Sequence, residues 1–123
     1  MHKVIVRNIK LKWDNTRKEG IYGGYSIQIE FDGNRYEELF RLGRAKLSNG
    51  KWIMNLRSQK PIKVIDCEQK ELPNETRIGN HSIGNIMLAV PKEPIYFKDK
   101  EIRKGIPIII QVVEYADYFT GDF

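Results

Sequence analysis

Imidazole and thiol are scarce in this sequence: His2, His81 and Cys67 are the whole supply. His2 stands at the N-terminus, and His81 lies in Gly79-Asn80-His81-Ser82, which reads as a polar turn. Cys67 follows Asp66 and has no Cys-x-x-Cys partner, so a zinc site would lack ligands. The thiol reads as a buried or partly buried structural residue rather than a nucleophile. Glu37-Glu38 reads as the solvated first turn of a helix, not as an acid–base pair. A phosphate-binding Walker loop, a dinucleotide fingerprint and a nucleophile elbow are all absent. Neither catalysis nor a metal or cofactor is expected.

Basic residues interleaved with aromatics carry a stronger signal, and they concentrate in the first half. Lys10, Lys12 and Trp13 stand together; Arg17 and Lys18 precede Tyr22 and Tyr25 across a glycine-containing loop. Lys51 abuts Trp52, and Arg57, Lys60 and Lys63 follow. Single-stranded nucleic acid needs this combination. Cations track phosphates, and flat π-faces stack bases at about 1–3 kcal/mol each with little regard to base identity. Tyr25, Phe31, Tyr36 and Phe40 keep strand or helix phase with aliphatics and fit a core. Trp52 shares parity with Met54 and Leu56, so core and stacking surface both remain open. Trp13 ends its strand beside Asp14-Asn15, where exposure is expected, and Tyr22 sits in a loop between Gly20 and Gly23. Of Tyr96 and Phe97, which follow Pro94, one is expected to be exposed, and Tyr96 is taken as the candidate.

The charge distribution agrees. Lys and Arg number 21 against 16 Asp and Glu over 123 residues, a formal charge of +5. Residues 1–63 hold 14 Lys+Arg against 6 Asp+Glu, or +8, and residues 64–123 hold 7 against 10, or −3. A basic half favours an anionic partner, although a basic surface also serves solubility. Hydrophobic residues make up 41% of the chain, too many for a disordered polymer, and the length suits one domain. The longest apolar run, Ile106 to Val113, is too short for a membrane helix. The charged N-terminus does not resemble a signal peptide. A single cysteine fits a reducing cytoplasm.

Single turns punctuate the chain, among them Asp14-Asn15, Gly23-Gly24, Asn49-Gly50, Pro73-Asn74 and Gly105. Most intervening segments read as strands. In Lys3 to Trp13, Ile5, Ile9, Leu11 and Trp13 share a parity broken by Arg7. In Gly24 to Phe31, Tyr25, Ile27, Ile29 and Phe31 alternate strictly with small or polar residues. One helix is predicted over Asn34 to Lys46, with Tyr36, Leu39, Phe40 and Gly43 at helical spacing and charges that suit its dipole. Further strands are predicted at Lys51 to Arg57, Ile62 to Asp66, Ile83 to Val90 and Ile106 to Tyr115. The last is apolar on both parities and should be central and buried. Many short antiparallel strands in this length suggest a small barrel or sandwich, mainly β with one short helix.

Three motifs in series now add a resemblance. They are Lys60-Pro61-Ile62-Lys63-Val64-Ile65-Asp66 after Arg57-Ser58, then Ile78-Gly79-Asn80-His81-Ser82, then Lys104-Gly105-Ile106 running into the terminal apolar strand. Tyr22-Gly23-Gly24-Tyr25-Ser26 precedes them. This order, covering most of the chain, resembles the bacteriophage single-stranded DNA-binding proteins of the OB-fold type. His81 departs from the family pattern, which has a glycine there. Ile and Pro stand in residues 106–113 where the family favours Ser, Arg and Leu, and the family's long acidic tail is nearly absent.

The resemblance implies a small antiparallel OB-fold-like barrel over residues 1–116 and a short tail over 117–123. It implies sequence-nonspecific binding of single-stranded DNA in phage replication or recombination. The expected contacts are Lys10, Lys12, Trp13, Arg17, Tyr22, Tyr25, Lys51, Trp52, Arg57, Lys60, Lys63 and Tyr96. The tail ends in Asp122 and Phe123, which read either as a shortened tag for replication proteins or as an ordinary chain end. A homodimer is a further expected partner arrangement; a membrane is not expected. Two readings from other classes stand beside this one: a β-rich protein-interaction or virion-structural domain, and an RNA-binding OB module.

Overall fold

A computed structural model describes residues 2–21, 23–35, 39, 45–76, 78–93, 95–102 and 105–115. Alternation of apolar and polar residues makes strands of most of them. These are β1 (His2–Asn15), β2 (Tyr25–Phe31), β3 (Lys46–Ser48), β4 (Lys51–Ser58), β5 (Lys63–Ile65), β6 (Ser82–Val90), β7 (Ile95–Phe97), β8 (Lys100–Ile102) and β9 (Ile106–Glu114). Seven form one sheet in the order β3-β4-β2-β1-β6-β9-β5, and β7 and β8 form a separate hairpin. The sheet curls until β4 and β9 touch. The result is the partly open, five-strand barrel of an OB-fold, built from β1, β2, β4, β6 and β9. All the barrel ladders are antiparallel, while β5 joins the outside of β9 as a parallel edge strand.

The curl originates in β1, whose 14 residues serve two neighbours. His2 to Leu11 pairs with β6, and Lys10 to Asn15 pairs with β2. Two irregularities bend the strand between and within these ladders, one between Val6 and Ile9, the other between Lys12 and Asn15. Each holds a non-glycine residue in the left-handed region, Asn8 at φ 56° and Trp13 at φ 54°. A bulge adds one residue to one strand, so it resets which parity faces inward. Val6 is therefore buried on one side of the first bulge, and Ile9 and Leu11 on the other. Ile5, expected to face inward with Ile9, is exposed instead.

The core follows from alternation elsewhere. Ile27, Ile29 and Phe31 of β2 meet Met54 and Leu56 of β4, with Ile86, Leu88, Ile110 and Val112 from β6 and β9. Leu39, Ile62, Val64 and Ile78 close the ends. Where β1 crosses β6 the packing is tight: a Cβ at Gly84 would lie 2.6 Å from the Gln111 carbonyl oxygen and 2.8 Å from Leu11 Cδ1. A side chain there would push β6 and β9 apart.

The terminal strand differs from its sequence expectation, and the predicted helix goes largely untested. The helix predicted over Asn34 to Lys46 lies largely outside the described residues; Gly33–Arg35 forms a 3-10 turn, and Lys46 already belongs to β3. Asn49 and Gly50, at φ 50° and 78°, turn β3 into β4 as their sequence suggested. The terminal strand is central but covered on one face only. Pro107, Ile110 and Val112 are buried, whereas Ile106, Ile108 and Ile109 are only partly so, and Val113 is exposed.

Candidate nucleic-acid interface

The outward parity of β1, β2 and β4 forms one continuous polar face. Register defines its rows: Lys10, Glu30 and Ile53 lie side by side, then Lys12, Gln28 and Asn55, then Asn15, Ser26 and Arg57. Lys51 belongs to the same parity of β4, at the hairpin end. Lys12 Nζ pairs with Glu30 Oε2 at 3.5 Å, so one cation of the face is already partly neutralised. Gln28 Nε2 donates to Asn55 Oδ1 at 3.0 Å, which fixes the neighbouring carboxamides.

At the far end of these rows lies a groove of about 960 Å³. Trp13, Tyr25, Arg57 and Lys60 all line it, together with Asn15 and Ile21. Trp13 is 60% exposed. Its strand parity would have turned it inward after Ile9 and Leu11, and the second bulge rotates it out instead. The amide freed by that bulge donates to Asn80 Oδ1 at 2.9 Å. Tyr25, at the first position of β2, packs one side on the core and borders the groove with the other. Gly23 and Gly24, at φ 79° and 74°, let the preceding loop turn sharply back. Gly23 N–H donates to the Gly20 carbonyl and Gly20 N–H to the Gly24 carbonyl, each at 3.0 Å. The Ile62 amide donates to the Thr16 carbonyl at 2.7 Å, holding the segment that carries Lys60 against the end of β1. Ile106, where the chain returns from the β7–β8 hairpin, reaches the same groove.

Other expected contacts are placed elsewhere. Trp52 lies on the inward parity with Met54 and Leu56, is partly buried and packs against the core. Arg17 is a second departure. Its guanidinium donates to Asp14, to the Thr16 hydroxyl, and to the carbonyls of Pro73 and Thr76. Asp14 also accepts from Thr16 and from the Ile78 amide, and the Arg17 and Asp14 side chains are only 7% and 6% exposed. This pair pins the 73–78 loop to β1 and leaves little of Arg17 for a phosphate. Lys63 sits on β5, at the opposite edge of the sheet from β3. Tyr96 is 69% exposed on the β7–β8 hairpin, outside the groove lining. Tyr22, Asp122 and Phe123 lie outside the described residues.

Asn15, Ser26, Asn55 and Gln59 line the groove without having been expected there. The alternation that sets Ser26 apart from Tyr25 and Ile27 was visible in sequence, but neutral polar residues carry no compositional signal for a ligand. Cys67 also differs from expectation. It is exposed, with Sγ 3.5 Å from the Val112 carbonyl. Nearby, burial together with Asp66 and Cys67 pushes the Tyr115 phenol above its ordinary 10.0. Among the described residues no cluster of His, Cys, Asp and Glu could hold a metal, and no helix is long and apolar enough to cross a membrane.

No protein-family model matches the chain, and no curated protein matches it by sequence. Solved structures do match by shape. The single-stranded DNA-binding protein from bacteriophage Enc34 aligns with TM-score 0.66 at 13% identity, over 98% of this chain and 86% of that one. The same protein in complex with ssDNA aligns with TM-score 0.63 at 11% identity, over 95% and 89%. The single-stranded DNA-binding protein gp2.5 encoded by bacteriophage T7 aligns with TM-score 0.62 at 11% identity, over 100% and 97%. This chain has the fold of phage single-stranded DNA-binding proteins. The resemblance drawn from its motifs therefore holds at the level of the fold, and it does so where sequence identity is low.

Proposed function

We propose that the protein binds single-stranded DNA without sequence specificity, on the outer face of β1, β2 and β4 and in the adjoining groove. The observation that supports this most is the groove itself, where a largely exposed Trp13 stands beside Arg57 and Lys60. A base stacks on the indole, and the cations take the flanking phosphates. Lys10, Lys12 and Lys51 extend the cationic track over the strands, and each neutralised phosphate releases counterions. Tyr96, Lys63 and Tyr22 are further contacts of the same kind. Binding of ssDNA by a phage protein of this fold supports the reading.

The work is non-enzymatic: covering exposed strands and removing their secondary structure during phage replication and recombination, in the host cytoplasm. Residues 1–116 carry the binding and 117–123 form a short tail. Asp122 and Phe123 recruit replication proteins, and the protein acts as a homodimer.

The test is a fluorescence titration with oligo-dT at two salt concentrations, with duplex DNA and an RNA of equal length in parallel. Binding to the single strand is expected to weaken steeply with salt and to exceed binding to duplex. Affinity insensitive to salt, or unchanged in Trp13→Ala, would overturn the proposal. Equal affinity for the RNA would instead favour an RNA module.

A further inference from the structure

Ile21 is 96% exposed, more than any other large hydrophobic side chain among the described residues. The exposed aliphatics Ile5, Leu47 and Val113 lie on strands, which favour such residues. Ile21 lies on none. It takes the second position of a four-residue turn, closed by the Gly23 amide donating to the Gly20 carbonyl at 3.0 Å. Turns draw on Gly, Pro, Asn, Asp and Ser, so the turn does not call for a β-branched apolar residue. The core does not call for it either, because the side chain lies wholly outside it.

The loop that carries Ile21 is seated on both sides. A Cβ on Gly20 would meet Asn15 Cγ at 3.8 Å, and one on Gly24 would meet the Ser58 carbonyl oxygen at 3.5 Å. The Gly20 amide donates to the Gly24 carbonyl and closes the base of the loop. Ile21 is thereby held at the groove that Trp13 also lines. Two exposed apolar side chains, one flat and one branched, border one groove, together with the uncharged Ser26 and Asn55 and the cations Arg57 and Lys60. Phosphate accounts for the cations, and stacking accounts for the indole. Neither accounts for Ile21.

We propose that Ile21 is the second wall of a base site, with one nucleobase held between the Trp13 indole and the Ile21 side chain, and that it thereby selects single strands over duplex. This rests on the nucleic-acid reading above. A base inside a duplex has its faces covered by neighbours and its edge by a partner. An indole alone can stack on the last pair of a duplex end. A site with two apolar walls takes only a base that has left the stack, and leaving costs least where no partner is given up. Apolar burial supplies the affinity on the Ile21 side, and charge plays no part there.

The test is the affinity of the full chain for end-labelled oligo-dT and for a labelled duplex of equal length, by fluorescence anisotropy at two salt concentrations. Ile21→Ser should weaken oligo-dT binding about tenfold, with duplex binding, salt slope and melting temperature unchanged. Ile21→Met keeps the apolar area and should stay within about twofold of wild type. The losses in Trp13→Ala and Ile21→Ser should be less than additive in the double variant, because both side chains grip one base. Leu47→Ser, an exposed aliphatic change on β3 outside the groove lining, should alter nothing. A wild-type chain that binds oligo-dT no better than Ile21→Ser overturns the inference alone. An equal loss on the duplex overturns the selectivity, and full additivity overturns the shared base. A wild-type chain that does not bind oligo-dT overturns the nucleic-acid reading, and the inference with it.

Discussion

Asn80 Oδ1 accepts the Trp13 amide at 2.9 Å, and this bond holds the indole outside the barrel. A counterpart stands at the other bulge of β1, where Asn85 Oδ1 accepts the Asn8 amide at 3.1 Å. Both bulges free one amide, and both recover it on an asparagine at or just before β6. Asn80→Ala should cost about 1 kcal/mol of stability by loss of one hydrogen bond. It should also weaken oligo-dT binding, because Trp13 loses its fixed position. Asn85→Ala should cost a similar stability in denaturant titration and leave DNA affinity unchanged.

The two tryptophans should behave oppositely. Trp13→Ala is expected to lower affinity by the worth of one stacked base, about 1–3 kcal/mol, with the melting temperature little changed. Trp52→Ala removes a partly buried ring from the core and should destabilise by about 2–4 kcal/mol. Once folded, that variant should bind oligo-dT normally. Fluorescence titration and thermal melting on the same samples separate the two effects.

Arginines divide in the same way. Arg17→Ala leaves Asp14 buried without its cation, and a loss of about 3–5 kcal/mol of stability is expected. The slope of log affinity against log salt should not change. Arg57→Ala and Lys60→Ala should each reduce that slope by about 0.7, the value for one phosphate contact on a single strand, with stability preserved.

Glu30 is the acid among the cationic rows, and its pairing with Lys12 subtracts from the field that DNA meets. Glu30→Gln should tighten binding at low salt and steepen the salt slope, since Lys12 becomes available to a phosphate. Little change in stability is expected, because partly exposed pairs contribute about 0–1 kcal/mol.

His81 sits at φ 74°, in the region that favours glycine, and its amide donates to the Leu11 carbonyl at 2.9 Å. The motif that this stretch resembles has glycine here, a residue that adopts this φ without strain. His81→Gly should stabilise the protein by about 1 kcal/mol through relief of the left-handed strain. A lower denaturation midpoint would show that the imidazole makes a compensating contact.

Much of this was legible beforehand. The alternation in Tyr25 to Phe31 and Lys51 to Arg57 specified two strands, and for the first its inward face, because the side-chain period of a strand needs only local sequence; which parity of the second faces inward was left open by it. Asn49-Gly50 marked its hairpin for a similar local reason. The order of the three motifs pointed to the OB barrel at an identity too low for ordinary sequence matching. The strands β3, β7 and β8 carry no local signal, being three residues each and lacking any clear alternation.

The sequence alone determined the basic first half, the strand content and the supply of aromatic and cationic side chains. Tertiary structure decided which of those side chains are available. Trp13 and Trp52 each follow a lysine and lie near the end of an alternating run, yet a bulge turns one outward and continued alternation keeps the other inward. Arg17 and Arg57 are chemically equivalent, yet Asp14 and two distant loop carbonyls engulf the first. The asparagine that receives the Trp13 amide stands 67 residues away, and the Pro73 carbonyl that receives the Arg17 guanidinium 56. No local pattern encodes contacts at that separation.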